Sequence, residues 1–472
     1  MARESNIDTN IVALLVEAYP ESMRADESSY TPLHAILYNQ SASNLQDILE
    51  CLLELSPSSL RVLDGDGRVL RFNWLVTTDQ MIYNAWPEAI GMSDSDGYLP
   101  IHELCRNQKL DESVALSVLR FMIGIDPTLV REIEEDDDYL PIHFAVDGMS
   151  TKLCKVLIDV YPESLRLGTT NEGMLPIHMA CIKGGTDIIH YMLELYPEGI
   201  NVRDGDGQLP IHLASRLGRT EIIGLLLEHD PDGASKKTSN NARQLPLHLA
   251  CCFGRIEAVK VLYDALPEAI LVHNGRGRIP SQAISNQLRN SSTIVNFLKV
   301  QQGYAQKAQD VSAMTTPDAN GWLPLHHALK DKVTLGSIKL LLKGNPSSLR
   351  TVDDNLAFPL HIACQFSTVK VVKYLVELDS RIPVGRLDMN KDSALHYACR
   401  GGNLGVIQYL VYSHGSLVSD TNSDNKLPFH LLLECEDEQV RESLEFTEVC
   451  FQMLWTHPET VTMQTSRKRR RD

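Results

Sequence analysis

Sixteen histidines and ten cysteines among 472 residues are the side chains best able to do chemistry. Imidazole and thiolate bind metals, and a Cys/His pair can serve as nucleophile and base. Their spacing decides between those uses. Ten of the histidines sit in one recurring phrase, Leu Pro Ile/Leu His and its variants, at His34, His102, His143, His178, His212, His248, His326, His361, His396 and His430. Two further copies keep the frame with Phe72 and Gln282 in the His place, so the twelve markers average 36 residues apart. Ligands of one metal must converge on a point, whereas residues repeated at a fixed period stand in a row one repeat apart. Cys105, Cys181, Cys251, Cys364 and Cys399 each follow a marker His by three residues, and Ser215 fills the same slot. A small buried side chain facing the next repeat explains that slot, and no thiol is singled out in an electropositive setting. No catalytic residue, cofactor or metal site is expected.

Acidic turns are the next candidates. Asp64 Gly65 Asp66 Gly67, Asp94 Ser95 Asp96 Gly97 and Asp204 Gly205 Asp206 Gly207 resemble calcium loops in outline. An EF-hand needs a bidentate Glu at position twelve, which here is Leu75, Cys105 and Ser215 respectively. They read as turns. Asn274 Gly275 Arg276 Gly277 is likewise a turn, because no Gly-Lys-Ser/Thr element accompanies it to cradle phosphate.

The elements that position these residues follow from the phrase itself. A Gly/Asp/Asn turn leads to a Pro that opens a short helix, as at Pro210, since a first helical residue tolerates a missing N–H. Gly218 stops that helix, and Glu221 to Leu227 has the apolar spacing of a second one. A second punctuation, as in Tyr161 Pro162 Glu163 Ser164 or Tyr196 Pro197 Glu198 Gly199, ends helix two and sends the chain towards the next turn.

On these residues the chain resembles the ankyrin repeat family, whose unit is a turn, a Thr-Pro-Leu-His start and two antiparallel helices. The resemblance implies an all-α solenoid of about twelve stacked helix pairs with turn fingers, each pair relying on its neighbours to bury its apolar face. It also implies that the marker His bridges backbone groups of neighbouring turns. Leu mostly stands where the family has Thr, as at Leu175 and Leu209, which removes a hydroxyl cap worth roughly 0.5–2 kcal/mol unless Leu packing recovers it. The expected organisation is a half-repeat cap over 1–24, an N-terminal array over 25–300, a polar insertion or extended helix over 301–317, a C-terminal array over 318–463 and a basic tail over 464–472. The opening segment reads either as a cap or as the remnant of a chain that begins further upstream. If the insertion weakens one interface, the array should unfold in two steps.

Charge bounds the partners. The chain carries 44 Lys plus Arg against 61 Asp plus Glu, a net −17, and five of the bases fall in the last six residues. An acidic body repels phosphate backbones and anionic lipid, so direct nucleic-acid binding along the array is not expected. No apolar run approaches the roughly 20 residues of a membrane helix, and the start lacks the basic and apolar regions of a secretory signal. The reading is a soluble, monomeric protein of the cytoplasm, the nucleus or both.

Function then rests on surfaces. The family places the residue four before the marker His at the inner tip of the turn, facing a concave groove. Tyr30, Tyr98, Tyr139 and Trp322 occupy that slot here, and such rings are common interface anchors. Glu134, Glu135, Asp136, Asp137 and Asp138 precede Tyr139 and read either as a solvated loop or as acids that steer a basic partner. The rings either bind a basic, partly apolar segment or brace neighbouring turns. Arg467, Lys468, Arg469, Arg470 and Arg471 resemble a nuclear import signal; contact with nucleic acid or with the acidic body are the alternatives. The function expected is a non-enzymatic scaffold or adaptor binding partner proteins. The alternative is a nuclear transcription or chromatin regulator that acts through protein partners.

Overall fold

The computed structural model describes residues 90–456 apart from 94–96, 109, 135–137, 149, 285–290, 379–383 and 436. The expected 1–24 cap, Tyr30, Glu135, Asp136, Asp137 and the tail residues Arg467, Lys468, Arg469, Arg470 and Arg471 lie outside the described residues. The chain divides into two compact units, one running to Gly233 with Thr238–Asn241 and the other comprising Ala234–Lys237 and Ala242 onward. The 301–317 segment lies inside the second unit.

In the first unit, helices alternate short and long: α1 (Pro100–Arg106), α2 (Glu112–Ile125), α3 (Pro141–Asp147), α4 (Thr151–Val160), α5 (Pro176–Lys183), α6 (Thr186–Leu195), α7 (Pro210–Leu217) and α8 (Thr220–His229). The odd-numbered helices pack on one another in a row, and the even-numbered ones form a second row beside them. Each odd helix starts at its Pro, preceded by an extended Leu. That Leu makes no side-chain cap bond; Leu99, Leu140, Leu175 and Leu209 are buried instead. Gly184 and Gly218 close α5 and α7 in the left-handed region, with φ of 107° and 77°, where a Cβ would be strained.

Proline after each long helix does more than stop it. It opens a 3-10 turn, Pro127–Arg131, Pro162–Arg166 and Pro197–Asn201 in this unit. Each turn buries two residues, such as Leu129 with Val130 and Ser164 with Leu165. Two of these turns also carry a cation to the next repeat: Arg131 lies 4.8 Å from the Tyr161 ring centroid and Arg166 4.5 Å from that of Tyr196. The extra length of each repeat is therefore packed structure.

The second unit repeats the scheme with α9 (Pro246–Cys252), α10 (Ile256–Ala265), α11 (Ser291–Gln309), α12 (Val311–Thr315), α13 (Pro324–Lys330), α14 (Leu335–Gly344), α15 (Pro359–Phe366), α16 (Val369–Leu378), α17 (Ala394–Arg400), α18 (Leu404–Ser413), α19 (Pro428–Leu433), α20 (Glu438–Arg441) and α21 (Leu444–Thr456). Its irregular repeat is the one marked by Gln282, where the first helix shrinks to the 3-10 turn Pro280–Gln282 and the second extends into the 19-residue α11. The polar 301–317 segment, which includes the end of α11, is anchored where Gln301, Tyr304, Ala305 and Met314 are buried, while much of the remainder is exposed. The next long helix, α14, packs on both α10 and α11. There Ser337 Oγ donates to Gln301 Oε1 at 2.5 Å and lies 2.7 Å from Tyr263 Oη. A Cβ on Gly336 would sit 2.9 Å from the Tyr263 carbonyl, and one on Gly344 would sit 2.7 Å from that of Ala308. These two glycines let α14 come close enough to bridge the shortened repeat.

Candidate functional site

The marker histidines are structural clamps. In each phrase among the described residues Nδ1 accepts from the backbone N–H three residues earlier, at 3.1 Å from Leu99 to His102 and 3.0 Å from Leu209 to His212. In several units Nε2 donates onward to a carbonyl of the next finger: His102 to Glu132 at 3.0 Å, His178 to Val202 at 3.1 Å, His361 to Arg386 at 2.9 Å and His396 to Lys426 at 3.2 Å. His143 and His326 do not form that second bond. Burial holds His143, His178 and His248 down to about 4, and lowers His326, His361 and His396 in the same direction. A clamp that accepts through one nitrogen and donates through the other must be neutral. Gln282 keeps half the function: its Oε1 accepts from Ile279 N–H at 3.2 Å.

The finger turns consume their own acids. Asp353 Oδ1 accepts from the N–H groups of Asn355 and Ala357 at 2.9 and 2.8 Å, and Asp388 Oδ1 does the same for Asn390 and Asp392 at 2.9 and 2.7 Å. Asn274 and Asn422 make the same pair of bonds without any charge. Asn and Asp are interchangeable there because the turn needs an oxygen acceptor. Fingers are then joined edge to edge, as where Gly205 N–H donates to Glu172 O at 2.7 Å and Met389 N–H to Asn355 O at 2.9 Å.

Tyr98 and Tyr139 do come together, on a ring that the sequence reading left out. Their centroids lie 5.6 and 5.3 Å from that of Phe144, and Phe144 lies 5.4 Å from His102. Arg106 lies over the Tyr98 ring, 5.4 Å from its centroid. Both tyrosines are half-buried, so the slot four before the marker packs for the fold as well as facing outward. Phe144 is the residue just after a marker His. That slot holds Leu, Met or Ile in many units, so an aromatic there is the signal that could have found it.

The acidic run divides. Glu134 does not stand at the tip: it is 2% exposed, and its N–H donates to Tyr139 O at 3.1 Å, closing the base of the finger. This removes Glu134 from the acids available to steer a partner. Asp138 is half-buried at φ 55°, in the left-handed turn, and Glu132 is exposed beside it.

Trp322, in the second unit, is also half-buried. Its Nε1–H donates to Asp353 Oδ2 at 3.0 Å, Lys330 lies 5.2 Å from its centroid, and His327 meets it edge-on at 5.2 Å. Ala357 and Asp392, which hold the same slot in the following fingers, are buried. Asp392 accepts from Arg400 and from Asn422.

Cys105, Cys181, Cys251 and Cys364 are buried, and burial pushes their thiols up, far from the reactive thiolate. Among the described residues no three His, Cys, Asp or Glu side chains are placed to hold a metal ion, and no helix is long and apolar enough to cross a membrane.

Comparison with known proteins agrees with this geometry. Models described as ankyrin repeats match residues 193–270, 282–386 and 325–423, and a second ankyrin-repeat model matches 166–214. No curated protein matches the chain. Ankyrin repeats mediate binding to other proteins. The matched segments cover more than half of the sequence, and with the paired helices, the bridging histidines and the stitched fingers they place this all-α chain in the ankyrin repeat family.

Proposed function

We propose that the protein is a non-enzymatic scaffold that takes a basic, partly apolar segment of a partner protein on the finger side of its first compact unit. The half-exposed pair Tyr98 and Tyr139, gathered on Phe144, carries the reading. Tyrosine offers large contact area at small entropic cost, and a pre-packed ring loses little freedom when a partner covers it. Glu132 and Asp138 supply local negative charge beside the rings, within a chain of net −17. Affinity capture from cells with the double variant Tyr98→Leu/Tyr139→Leu is the test, because leucine keeps apolar contact with Phe144. The reading requires the captured set to shrink at a nearly unchanged melting temperature. Intact capture would overturn it.

A second reading, a nuclear regulator acting through its partners, is supported by the run Arg467, Lys468, Arg469, Arg470 and Arg471. Alanine at all five positions in a fluorescent fusion should shift it towards the cytoplasm. An unchanged distribution would reject import through the tail.

A further inference from the structure

The last described helix of the second unit, α21, buries Val449 and Met453 and packs on α18. Its opposite side carries Leu444, Phe451 and Trp455, which are 76%, 65% and 77% exposed. Positions 444, 448, 451 and 455 recur at helical spacing, so they form one stripe. Phe451 and Trp455 stack with centroids 5.9 Å apart and line, with Gln452, a shallow notch of about 250 Å³.

The surroundings of the stripe say what fits it. Glu438, Glu442, Glu445 and Glu448 are all exposed on α20, α21 and the link between them, and Arg441 is the one base between Leu431 and Thr456. We propose that this face is a docking surface for a basic amphipathic helix of a partner protein, its apolar side seated on Phe451 and Trp455 and its cations facing the glutamates. A second copy of the chain is disfavoured, because pairing two such faces sets like charges together. The site lies in the second unit and is independent of the Tyr98 reading. The shape needed is that of helix-in-groove recognition, in which residues at i, i+3, i+4 and i+7 act as anchors.

A synthetic probe tests the proposal: a labelled peptide of about 14 residues, long enough as a helix to span the ~20 Å of α21, with leucine on one face and lysine on the other. Fluorescence anisotropy against the full chain should show binding that weakens about tenfold or more in Trp455→Ala, the loss expected for an anchor ring. A Glu445→Lys/Glu448→Lys variant, which leaves the rings in place, should weaken it likewise, and so should salt raised to about 0.5 M. Because the substituted side chains are exposed, melting should not change. Equal binding by wild type and Trp455→Ala would overturn the proposal. So would a concentration-dependent dimer abolished by Trp455→Ala, which would make a second copy the occupant. A tenfold gain in peptide affinity on replacing Arg467, Lys468, Arg469, Arg470 and Arg471 with alanine would also overturn it, by making the chain's own tail the occupant.

Discussion

Phe144 in the first unit and Tyr397 in the second hold the same place, directly after a marker His, and each leans on the marker of the preceding repeat, at 5.4 Å from His102 and 5.1 Å from His361. Their surroundings differ. Phe144 gathers Tyr98 and Tyr139 through ring contacts, whereas Tyr397 donates its hydroxyl to Asp388 Oδ2 at 2.8 Å, and that carboxylate also ties its own turn. Ring packing leaves Tyr98 and Tyr139 half-buried at the surface. A hydrogen-bonded acid network saturates its polar atoms and closes the surface. The same repeat position thus yields a candidate binding patch in one unit and a sealed brace in the other.

What the two regions share should respond to acid first. His143 and His178 in one unit and His248 in the other are held neutral down to about 4, against an ordinary 6.5. Between those values the unfolded chain takes up protons that the folded chain refuses. Stability is therefore complete above pH 6.5 and falls as pH drops towards 4. Each such histidine costs roughly 1.4 kcal/mol per pH unit in that window. Urea midpoints measured at about pH 7.5, 6.5 and 5.5 should fall steeply over the last step; a flat series would deny the histidines this role.

Truncating the ring centre separates the two regions. Phe144→Ala should cost about 3–5 kcal/mol through the cavity it opens, lower the transition of the first unit and free both tyrosines, with the second unit unaffected. If denaturant unfolding shows no loss, Phe144 does not hold the patch. Asp388→Ala should remove three hydrogen bonds at a cost of about 2–3 kcal/mol. Asp388→Asn should recover much of that, since Asn274 and Asn422 already do the turn's work. An alanine variant as stable as wild type would contradict the brace. The smallest effect is expected at Arg106, which lies over Tyr98 at 5.4 Å: Arg106→Ala should cost about 0.5–1 kcal/mol and leave Tyr98 more open, a change that Tyr98 ring resonances in NMR would register.

The period, the helix starts and the turn chemistry were legible from residues close in sequence. Pro at the first helical position, Gly where φ is positive, an Asx oxygen two and four residues from its donors, and a His ring three residues from its own donor all act within one turn of chain. The Pro and Gly positions were legible in the sequence, whereas the Asx and His bonds, although local, came only with the structure. The outcome at Glu134 was not legible, because a carboxylate in a run of acids looks solvated until the chain folds its side chain inward at the base of a finger. Nor was the long reach of α14 onto α10, more than 70 residues away in sequence between Asp264 and Gly336, where N–H and Oδ1 lie 2.9 Å apart. Tyr98 meeting Phe144, Trp322 donating to Asp353 and the uncovered stripe of Leu444, Phe451 and Trp455 belong to the same class. Periodicity states which residues share a face, but the neighbour that covers a face, or leaves it bare, comes from a different repeat. Only the stacking of repeats brings that neighbour into contact.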